Sequence, residues 1–241
     1  MLDLNSDLGE SFGRYQLGED QAMLSLVTSA NLACGVHAGD PEVMALAVRT
    51  AHQLGVHIGA HPSYPDRQGF GRRSMALSGT EIYHWTLYQL GALSAFLRPY
   101  GAYLHHLKPH GALYNDACRS AEIAEAVVRA ARDFDPGLSI YGLPGSPLLG
   151  AAASYGLRGL AEVFADRALR EDGQLVPRSE PGAVLHDPQA AGQAIAERLS
   201  RGLAVDTVCV HGDTPGAVQF TRQLRRALRQ RGIQLARRRR P

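Results

Sequence analysis

The sequence contains few residues of the kinds that mark unusual protein classes. Its 241 residues include only three cysteines, Cys34, Cys118 and Cys209, which are far apart and form no C-x-x-C pair. An odd, scattered set argues against a disulfide framework and a zinc knuckle, and fits a reducing cytoplasm best. There is no run of 18 apolar residues, and the first ten residues lack the basic and apolar regions of a secretory signal peptide. We therefore expect neither a membrane-spanning helix nor export.

Aromatic residues make up only 7% of the chain and charged residues 20%, while 45% of the residues are hydrophobic. This composition is typical of a globular protein and excludes disordered and collagen-like chains. A chain of this length buries roughly 72% of the surface that its unfolded form exposes, which provides a sizeable core. No linker or low-complexity segment divides the chain, so we expect a single domain over residues 1–241.

Acidic residues are absent from the last twenty residues, 222–241, which contain nine arginines. Without these nine, the chain has 16 basic and 23 acidic residues, a net charge of −7. An arginine run can bind nucleic acid, but a solvated helix face followed by a frayed terminus explains it without any ligand. We expect a basic C-terminal tail at about residues 232–241 and no nucleic-acid partner.

Lysine is nearly absent, since Lys108 is the only one among 25 basic residues. In a chain that otherwise uses arginine, one retained amine indicates a position that needs a compact ammonium group with a tunable pKa. Chance is the alternative, but the neighbouring Pro109 and His110, at the end of a predicted strand, favour a function. No Gly-Lys-Ser/Thr exists, which excludes a Walker A loop, and residues 5–13 lack the G-x-G-x-x-G of a dinucleotide site.

What is present is a repeated alternation of short apolar runs, polar loops and helical stretches. The seven candidate strands begin about 34 residues apart, close to the roughly 31 residues per unit of an eight-unit (β/α) barrel. They are residues 2–5, 31–35, 56–60, 103–108, 138–142, 160–164 and 207–211. Seven such units predict an α/β protein with a closed, seven-stranded parallel (β/α) barrel rather than an open sheet.

Four helix starts carry recognisable capping signals. Asp40–Pro41, Asp187–Pro188 and Thr214–Pro215 each place an N-cap residue before a proline at the first helical position. Ser78–Glu81 matches a capping box, in which the side chains at the two ends bond to each other's backbone amides. These signals predict helices that begin at residues 41, 79, 188 and 215.

Polar residues follow the predicted strands, where parallel α/β folds form their active sites. Six of the seven strands end in this way, so we expect one shared site at one mouth of the barrel. Four of the ten histidines, His37, His61, His110 and His211, belong to this set, and each lies in a short segment that contains Gly, Pro or both. For the other six, a structural role is at least as expected as a catalytic one. The set comprises Asn5, Asp7, Glu10, His37, Asp40, His61, Asp66, Lys108, His110, Asn115, Asp166, Arg167, His211 and Asp213.

Six segments in chain order carry a resemblance to a known family. They are DLNSDLGESFG, NLACGVHAGDP, GAHPSYPDRQGFGRR, LKPHGALYN, EVFADRAL and VCVHGD, which together span the chain. The chain resembles the lactam-utilisation (LamB/YcsF) family, whose members act as the A subunit of bacterial ATP-dependent 5-oxoprolinase. The resemblance implies a barrel similar to the glycoside hydrolase/polysaccharide deacetylase barrel, and cleavage of the lactam of 5-oxo-L-proline to L-glutamate. It also implies ATP hydrolysis and partner subunits B and C.

Opening an unactivated lactam requires a polarised carbonyl oxygen, a positioned water and a proton for the leaving nitrogen. Asp7 or His61 is the candidate base, and Lys108 the candidate donor to the lactam oxygen or its phosphate. His110 or His211 is the candidate acid. The expected substrate-binding residues are Asn5, Glu10, His37, Asp40, Arg72, Asn115 and Asp213.

Two other hypotheses stay open. A metal-dependent deacetylase-like amidohydrolase would hold a divalent metal with Asp7, His37 and His61, although these two histidines lie in separate loops rather than at i, i+4. A non-catalytic subunit of a larger complex is the second alternative. For ATP we expect binding by the partner subunits, which phosphorylate the lactam and leave this subunit to hydrolyse the activated intermediate.

Two connections have features of their own. Residues 62–74 form a long loop with two glycines and three arginines, Arg67, Arg72 and Arg73, so we predict a lid over an acidic substrate. A static, salt-bridged loop is the alternative. Residues 212–215, at the start of the last predicted helix, are a candidate anion site through their backbone amides.

Overall fold

Seven parallel strands form a closed barrel in the computed structural model, which describes residues 2–168, 176 and 180–236. Each strand pairs with the next in chain order, and the last pairs with the first. They are β1 (Asp3–Leu8), β2 (Ser29–Ala33), β3 (His57–His61), β4 (His106–Leu107), β5 (Ser139–Gly142), β6 (Arg158–Phe164) and β7 (Thr207–Cys209). The predicted seven-stranded parallel barrel is confirmed.

Helices surround the barrel and bury their apolar faces against the strands and one another. They are α1 (Asp20–Leu24), α2 (Pro41–Gln53), α3 (Gly79–Leu97), α4 (Gly111–Ala117), α5 (Ala121–Phe134), α6 (Pro147–Ser154), α7 (Pro188–Ser200) and α8 (Ala217–Gln230). α3 packs on α5, and α7 packs on α8. Within the described parts of the chain, none of the helices is both long and apolar enough to cross a bilayer.

Three of the four predicted helix starts are observed. The side chains of Asp40, Asp187 and Ser78 accept hydrogen bonds from the first turns of α2, α7 and α3. The fourth prediction, Thr214–Pro215, is wrong, because Gly216 adopts a left-handed φ of 81° and α8 begins only at Ala217. Residues 212–215 are a turn rather than a helix N-terminus, so the expected anion site there loses its basis.

The strand bounds differ most at β1 and β4. β1 continues to Leu8, so Asp7, which was expected in the following loop, lies inside the strand. β4 has only two residues, and single hydrogen bonds from His105 to β3 and from Lys108 to β3 extend its pairing. The hydropathy pattern did not identify the end of β1 as strand, because this part of the strand is polar. Its polar side chains face a barrel interior that supplies hydrogen-bond partners for them.

The barrel interior is polar. The carboxylate of Asp3 accepts hydroxyl bonds from Ser29 at 2.7 Å, Thr207 at 2.6 Å and Tyr141 at 3.1 Å, which joins four strands. One layer above, the Asn5 amide bonds to groups on β2, β6 and β7. The apolar core instead lies between the strands and the helices. A stack of hydrogen-bonded layers therefore leads to the barrel mouth.

The expected single domain with a basic tail at residues 232–241 stays a prediction, and residues 237–241 lie outside the described part. The beginning of that segment is not free, however. Leu2 donates its backbone N–H to Gln234 and accepts one from Ala236, and it forms a bridge with Leu235. The two ends of the described chain are thus hydrogen-bonded to each other.

Candidate functional site

A cavity of about 390 Å³ opens at the mouth formed by the carboxyl ends of the strands. His61 and His211 face the same oxygen of Asp7 there, and the His37 ring, which does not line the cavity, is 5.7 Å from the His61 ring. Seven of the twelve predicted residues line the cavity. They are Asp7, His61, Arg72, Lys108, His110, Asn115 and His211.

Asp7, on β1, lies at the centre of this site. Its Oδ1 accepts hydrogen bonds from Asn31 at 2.8 Å and Lys108 at 3.0 Å. Its Oδ2 faces Nε2 of His61 at 3.3 Å and Nε2 of His211 at 3.8 Å. Burial alone would raise the pKa of Asp7, but His61 and Lys108 outweigh it and hold that pKa well below its ordinary value. Asp7 is therefore an ionised carboxylate in which Oδ1 accepts hydrogen bonds from Asn31 and Lys108, while Oδ2 faces the two histidines.

Lys108, the only lysine, is buried beneath the cavity. Its ammonium group lies 2.9 Å from Oε1 of Glu162, 3.0 Å from Oδ1 of Asp7 and 3.0 Å from Sγ of Cys209. Burial would lower the pKa of Lys108, but Asp7, Cys209 and Glu162 raise it well above its ordinary value. Its three protons are used within the protein, so direct donation to a lactam oxygen requires that one of these contacts be given up.

His211 follows β7 and is oriented by Asp166, which follows β6. Its backbone N–H and its Nδ1 both donate to the Asp166 carboxylate at 3.0 Å. That bond fixes the proton on Nδ1 and leaves Nε2 directed at Asp7 and the cavity. A carboxylate that sets the tautomer of a histidine is the arrangement of proton-transfer pairs in hydrolases.

His61 and His110 are each held by a backbone carbonyl oxygen. Nδ1 of His61 donates to the carbonyl of Lys108, and Nε2 of His110 donates to the carbonyl of Phe70, both at 2.8 Å. The remaining nitrogens, Nε2 of His61 and Nδ1 of His110, lie 3.0 Å apart. Burial lowers the pKa of His110 well below its ordinary value, so this ring is neutral at pH 7.

Glu10 and His37 were expected to bind substrate, but they lie behind His110 and do not line the cavity. Oε1 of Glu10 is 3.2 Å from Nε2 of His37 and 3.4 Å from Nδ1 of His110, and the His37 ring stacks on His110. Burial, with a contribution from Asp7, raises the pKa of Glu10 to about 8. These two residues support the site from behind.

Three other predicted substrate-binding residues are engaged elsewhere. Asn5 is wholly buried, and its amide bonds to Glu162, Thr207 and Asn31, so it has no access to a ligand. Asp40 caps α2 and accepts a bond from the Gly13 amide. Asp213 forms an ion pair with Arg72 at 2.6 Å, which joins the loops after β3 and β7. A substrate-binding role for these three residues stays a prediction, and in the structure their side chains are engaged in contacts within the protein.

Among the described residues, three groups place metal-ligating atoms close enough to hold one ion. They are Asp7, His61 and His110; Glu10, His37 and His110; and Asp7, Cys209 and His211. The predicted set Asp7, His37 and His61 is not among them, because His37 turns its Nε2 to Glu10 instead. His110 takes the place that the sequence pattern suggested for His37.

Sequence reasoning missed Glu162 and left Asp166 out of the final site. Glu162 lies within β6, is wholly buried and contacts both Lys108 and Asn5. The sequence did contain a signal for Glu162, because it is the charged residue within the otherwise apolar predicted strand 160–164. Asp166 was noted after the strand, but its pairing with His211 required the tertiary structure.

The model of the LamB/YcsF family matches residues 2–240 of the chain. The A subunit of 5-oxoprolinase from Methylococcus capsulatus is 51% identical over 247 residues, covering 98% of this chain and 95% of that protein. The crystal structure of a lactam utilization protein from Thermus thermophilus superimposes with a TM-score of 0.90 at 46% identity, over 98% of each chain.

More distant structures share the fold alone. The catalytic domain of a peptidoglycan N-acetylglucosamine deacetylase from Eubacterium rectale matches 99% of this chain and 88% of its own length, with a TM-score of 0.53 at 11% identity. The expected similarity to deacetylase barrels is confirmed at the level of architecture.

Proposed function

The chain belongs to the LamB/YcsF family, and from that premise we propose that it is the lactam-opening A subunit of a 5-oxoprolinase. Its reaction is hydrolysis of the cyclic amide bond of 5-oxo-L-proline to give L-glutamate. The overall reaction of the complex uses ATP, and subunits B and C are its partners. The three buried, unpaired cysteines fit a cytoplasmic location, where thiols stay reduced.

The observation that carries the proposal is the pair of groups that face each other across the cavity floor. Nε2 of His211, with its tautomer set by Asp166, lies 3.8 Å from Oδ2 of Asp7. A water between them contacts an ionised carboxylate and a nitrogen with a free electron pair. This is the arrangement that amide hydrolysis needs.

We assign the proton transfers to His211. Its Nε2 accepts a proton from the water as the water oxygen bonds to the lactam carbonyl carbon. It then donates that proton to the lactam nitrogen as the lactam carbon–nitrogen bond breaks. Asp7 positions the water, and Asp166 stabilises the imidazolium that forms between the two steps. Lys108 acts indirectly, since its charge keeps Asp7 ionised.

Three arginines give the cavity its preference for an acidic substrate. Arg72, Arg119 and Arg167 line the cavity, and Arg72 also forms the ion pair with Asp213. They suit the carboxylate of 5-oxoproline and, where the lactam arrives phosphorylated, its phosphate. At about 390 Å³, the cavity is at the small end of the usual range for ligand sites, as befits a single small acid.

ATP binding is assigned to the partner subunits. The sequence has no Walker A loop, and the only lysine is used beneath the cavity floor. On this basis the partners transfer the γ-phosphoryl group of ATP to the lactam oxygen and release ADP, and this subunit hydrolyses the activated product with two waters to L-glutamate and inorganic phosphate.

The test is co-expression with subunits B and C, followed by assays of 5-oxoproline-dependent ATP hydrolysis and of glutamate formation. In the complex, His211→Asn is expected to lower glutamate formation by about 10²–10⁴-fold, while substrate still binds. His84→Gln, at an exposed position on α3, is the matched control and keeps full activity.

Two results contradict the proposal. Unchanged glutamate formation in His211→Asn removes the assigned proton carrier. Absence of 5-oxoproline binding to this subunit by calorimetry, alone and in the complex, indicates a non-catalytic subunit instead. Release of acetate from N-acetylglucosamine oligomers without ATP would favour the deacetylase alternative.

A further inference from the structure

His61 and His110, which both line the cavity, have an unusual arrangement of protons. His61 uses its Nδ1 proton on the carbonyl of Lys108, and His110 uses its Nε2 proton on the carbonyl of Phe70. A carbonyl oxygen only accepts hydrogen bonds, so both tautomers are fixed. In the neutral rings, Nε2 of His61 and Nδ1 of His110 therefore carry electron pairs rather than protons.

These two electron pairs point at each other and at carboxylate oxygens. The nitrogens are 3.0 Å apart, Oδ2 of Asp7 is 3.3 Å from the first, and Oε1 of Glu10 is 3.4 Å from the second. Nε2 of His61, Nδ1 of His110 and Oδ2 of the ionised Asp7 are three acceptor atoms in one buried place, and they repel one another unless a positive charge lies between them. Either an added proton on His61 or a bound cation supplies that charge.

The distances match those of a metal site. Ligands held about 2.1 Å from a tetrahedral ion lie about 3.4 Å from one another. The two separations that link Asp7, His61 and His110 are 3.3 and 3.0 Å, and all three atoms lie within 4.8 Å of one another. The rings meet at 87° with these two nitrogens 3.0 Å apart, so the rings are not stacked and both nitrogens border the same space.

The remaining groups around the ligand atoms also fit a metal site. Metal-binding histidines almost always donate their other N–H to a carbonyl or carboxylate, as His61 and His110 do. The other oxygen of Asp7 is held by Asn31 and Lys108, which leaves Oδ2 directed at the histidines. Three protein ligands beside an open cavity are typical of a catalytic rather than a structural site.

The two competing groups fit less well. His37 and His110 stack in parallel at 3.8 Å, so their electron pairs lie in separate planes and do not converge on one ion. In the third group, Sγ of Cys209 lies 3.0 Å from the ammonium of Lys108, whose positive charge opposes a cation there.

We propose that Asp7, His61 and His110 form a binding site for one divalent transition-metal ion at the floor of the cavity. Two imidazoles and one carboxylate suit Zn²⁺ and its first-row neighbours. Such an ion supplies Lewis-acid polarisation of a carbonyl oxygen. The proposal concerns this chain alone. It shares Oδ2 of Asp7 with the reaction proposed above, but metal binding is measured without substrate.

The experiment uses the purified full chain, stripped with a chelator and then dialysed against Zn²⁺ or Co²⁺ without substrate or partner subunits. Elemental analysis is expected to find one ion per chain, and the Co²⁺ form is expected to show the visible absorption of a low-symmetry nitrogen–oxygen site. Metal is also expected to raise the melting temperature, since it binds only the folded chain.

Three variants identify the ligands. His61→Gln and His110→Gln are expected to weaken metal binding by at least about 100-fold, more than the loss of a supporting residue causes. The matched control is His37→Gln, which alters the ring stacked on His110 but removes no proposed ligand, and it is expected to stay within about 10-fold of the parent. Circular dichroism of the metal-free proteins checks folding, and Asp7→Asn replaces any histidine variant that misfolds.

Two outcomes overturn the proposal. The first is a parent protein that takes up no stoichiometric ion, which means that a proton on His61 holds the cluster together. The second is a loss in His37→Gln as large as in His110→Gln, which moves the site to Glu10. Because 5-oxoproline hydrolysis is assayed separately, failure of the metal site and failure of the proposed function are distinguishable.

Discussion

At the scale of single residues, Lys108 shows how an ammonium group is fixed by its surroundings. It is 2% exposed and contacts two carboxylates, Asp7 and Glu162, that are themselves buried. Removing one member of such a group leaves a charge without its partner, which costs far more than the net contribution of the intact group.

Lys108→Arg is therefore expected to lose activity although it keeps the charge. A planar guanidinium is larger and cannot make the same point contacts in a space this enclosed. We expect glutamate formation by the complex to fall by about 10²–10³-fold, the loss that follows removal of one electrostatic partner in an active site. Near-normal turnover of this variant would show that charge alone is required.

Lys108→Met tests the structural part of the same contact. It removes the ammonium partner of the buried carboxylates Asp7 and Glu162, so we expect the free energy of unfolding to fall by about 3–5 kcal/mol. Urea denaturation monitored by circular dichroism measures this loss. The sequence pattern gave no reason to expect it, because the second carboxylate was not recognised.

Asp20 is expected to make stability depend on pH. Its carboxylate accepts a bond from the Gly9 amide, but burial raises the pKa of Asp20 from 3.8 to about 6. Because the folded state binds this proton more tightly, the contribution of Asp20 to stability is present in acid and is lost as pH rises through 6.

Asp20→Asn keeps the acceptor for Gly9 and removes the ionisation. We expect the free energy of unfolding at pH 8 to rise by about 1–2 kcal/mol over the parent, with the gain shrinking below pH 6. Denaturation curves at pH 8 and pH 5 measure it. An equal gain at both values, or a loss at pH 8, contradicts the assignment.

At the scale of elements, Gly59 in β3 leaves room for the side chain of His106 on the neighbouring strand β4. A Cβ on Gly59 would lie 2.1 Å from Nε2 of His106, the atom that bonds to Asn31 at 2.6 Å. Gly59→Ala is therefore expected to displace His106 and lower the free energy of unfolding by about 1–3 kcal/mol.

The chain offers a matched control on α3. A Cβ on Gly91 meets nothing within 4 Å, and the position is exposed in the middle of the helix. Gly91→Ala is expected to stabilise the protein by about 0.5–1 kcal/mol, because alanine has the higher helix propensity. Equal destabilisation by both substitutions in thermal unfolding would contradict the packing argument.

The connection between β3 and α3 bears on the lid hypothesis. Gly71 accepts from the amide of Ala112, Phe70 accepts from His110, and Asp66 is paired with Arg73. These bonds attach the loop to the start of α4 and to itself. The Arg72–Asp213 ion pair reaches across to the loop after β7. A lid therefore has to open by breaking that pair.

Hydrogen exchange tests whether residues 62–74 act as a lid. In the complex, 5-oxoproline with nucleotide is expected to slow amide exchange in this loop, and Asp213→Asn is expected to speed it in the unliganded protein. Unchanged protection with and without ligand would favour the static, salt-bridged loop.

At the scale of the whole molecule, closure of the barrel is stabilised by buried hydrogen bonds at the end remote from the cavity. Asp3 on β1 joins Ser29, Thr207 and Tyr141 on three other strands. Asp3→Ala leaves three buried hydroxyls without their acceptor, so we expect a loss of about 3 kcal/mol or more in the free energy of unfolding.

The same variant separates stability from chemistry, because Asp3 does not line the cavity. Turnover per folded molecule is expected to stay within a few-fold of the parent at low temperature. Ser6→Ala, which removes a single bond to the Val210 carbonyl, is the control and is expected to cost about 1 kcal/mol. A collapse of turnover in folded Asp3→Ala would show that the layers of the interior are coupled to the site.

The amino-acid sequence by itself determined the architecture and the location of the site. The spacing of the seven units predicts the barrel, local caps such as Ser78 and Asp187 begin two of its helices, and polar residues near the strand ends mark its mouth. These features depend on residues a few positions apart, which a linear pattern contains.

Only the tertiary structure decided which polar residues face the cavity and what each one does. Asn5 reaches Glu162, 157 residues away, and Asp213 reaches Arg72 across 141 residues, so neither is available as first expected. The tautomers of His61 and His110 are fixed by two carbonyl oxygens whose positions depend on closure of the barrel. Such partners are chosen by the packing of distant strands and loops, and no local sequence pattern specifies them.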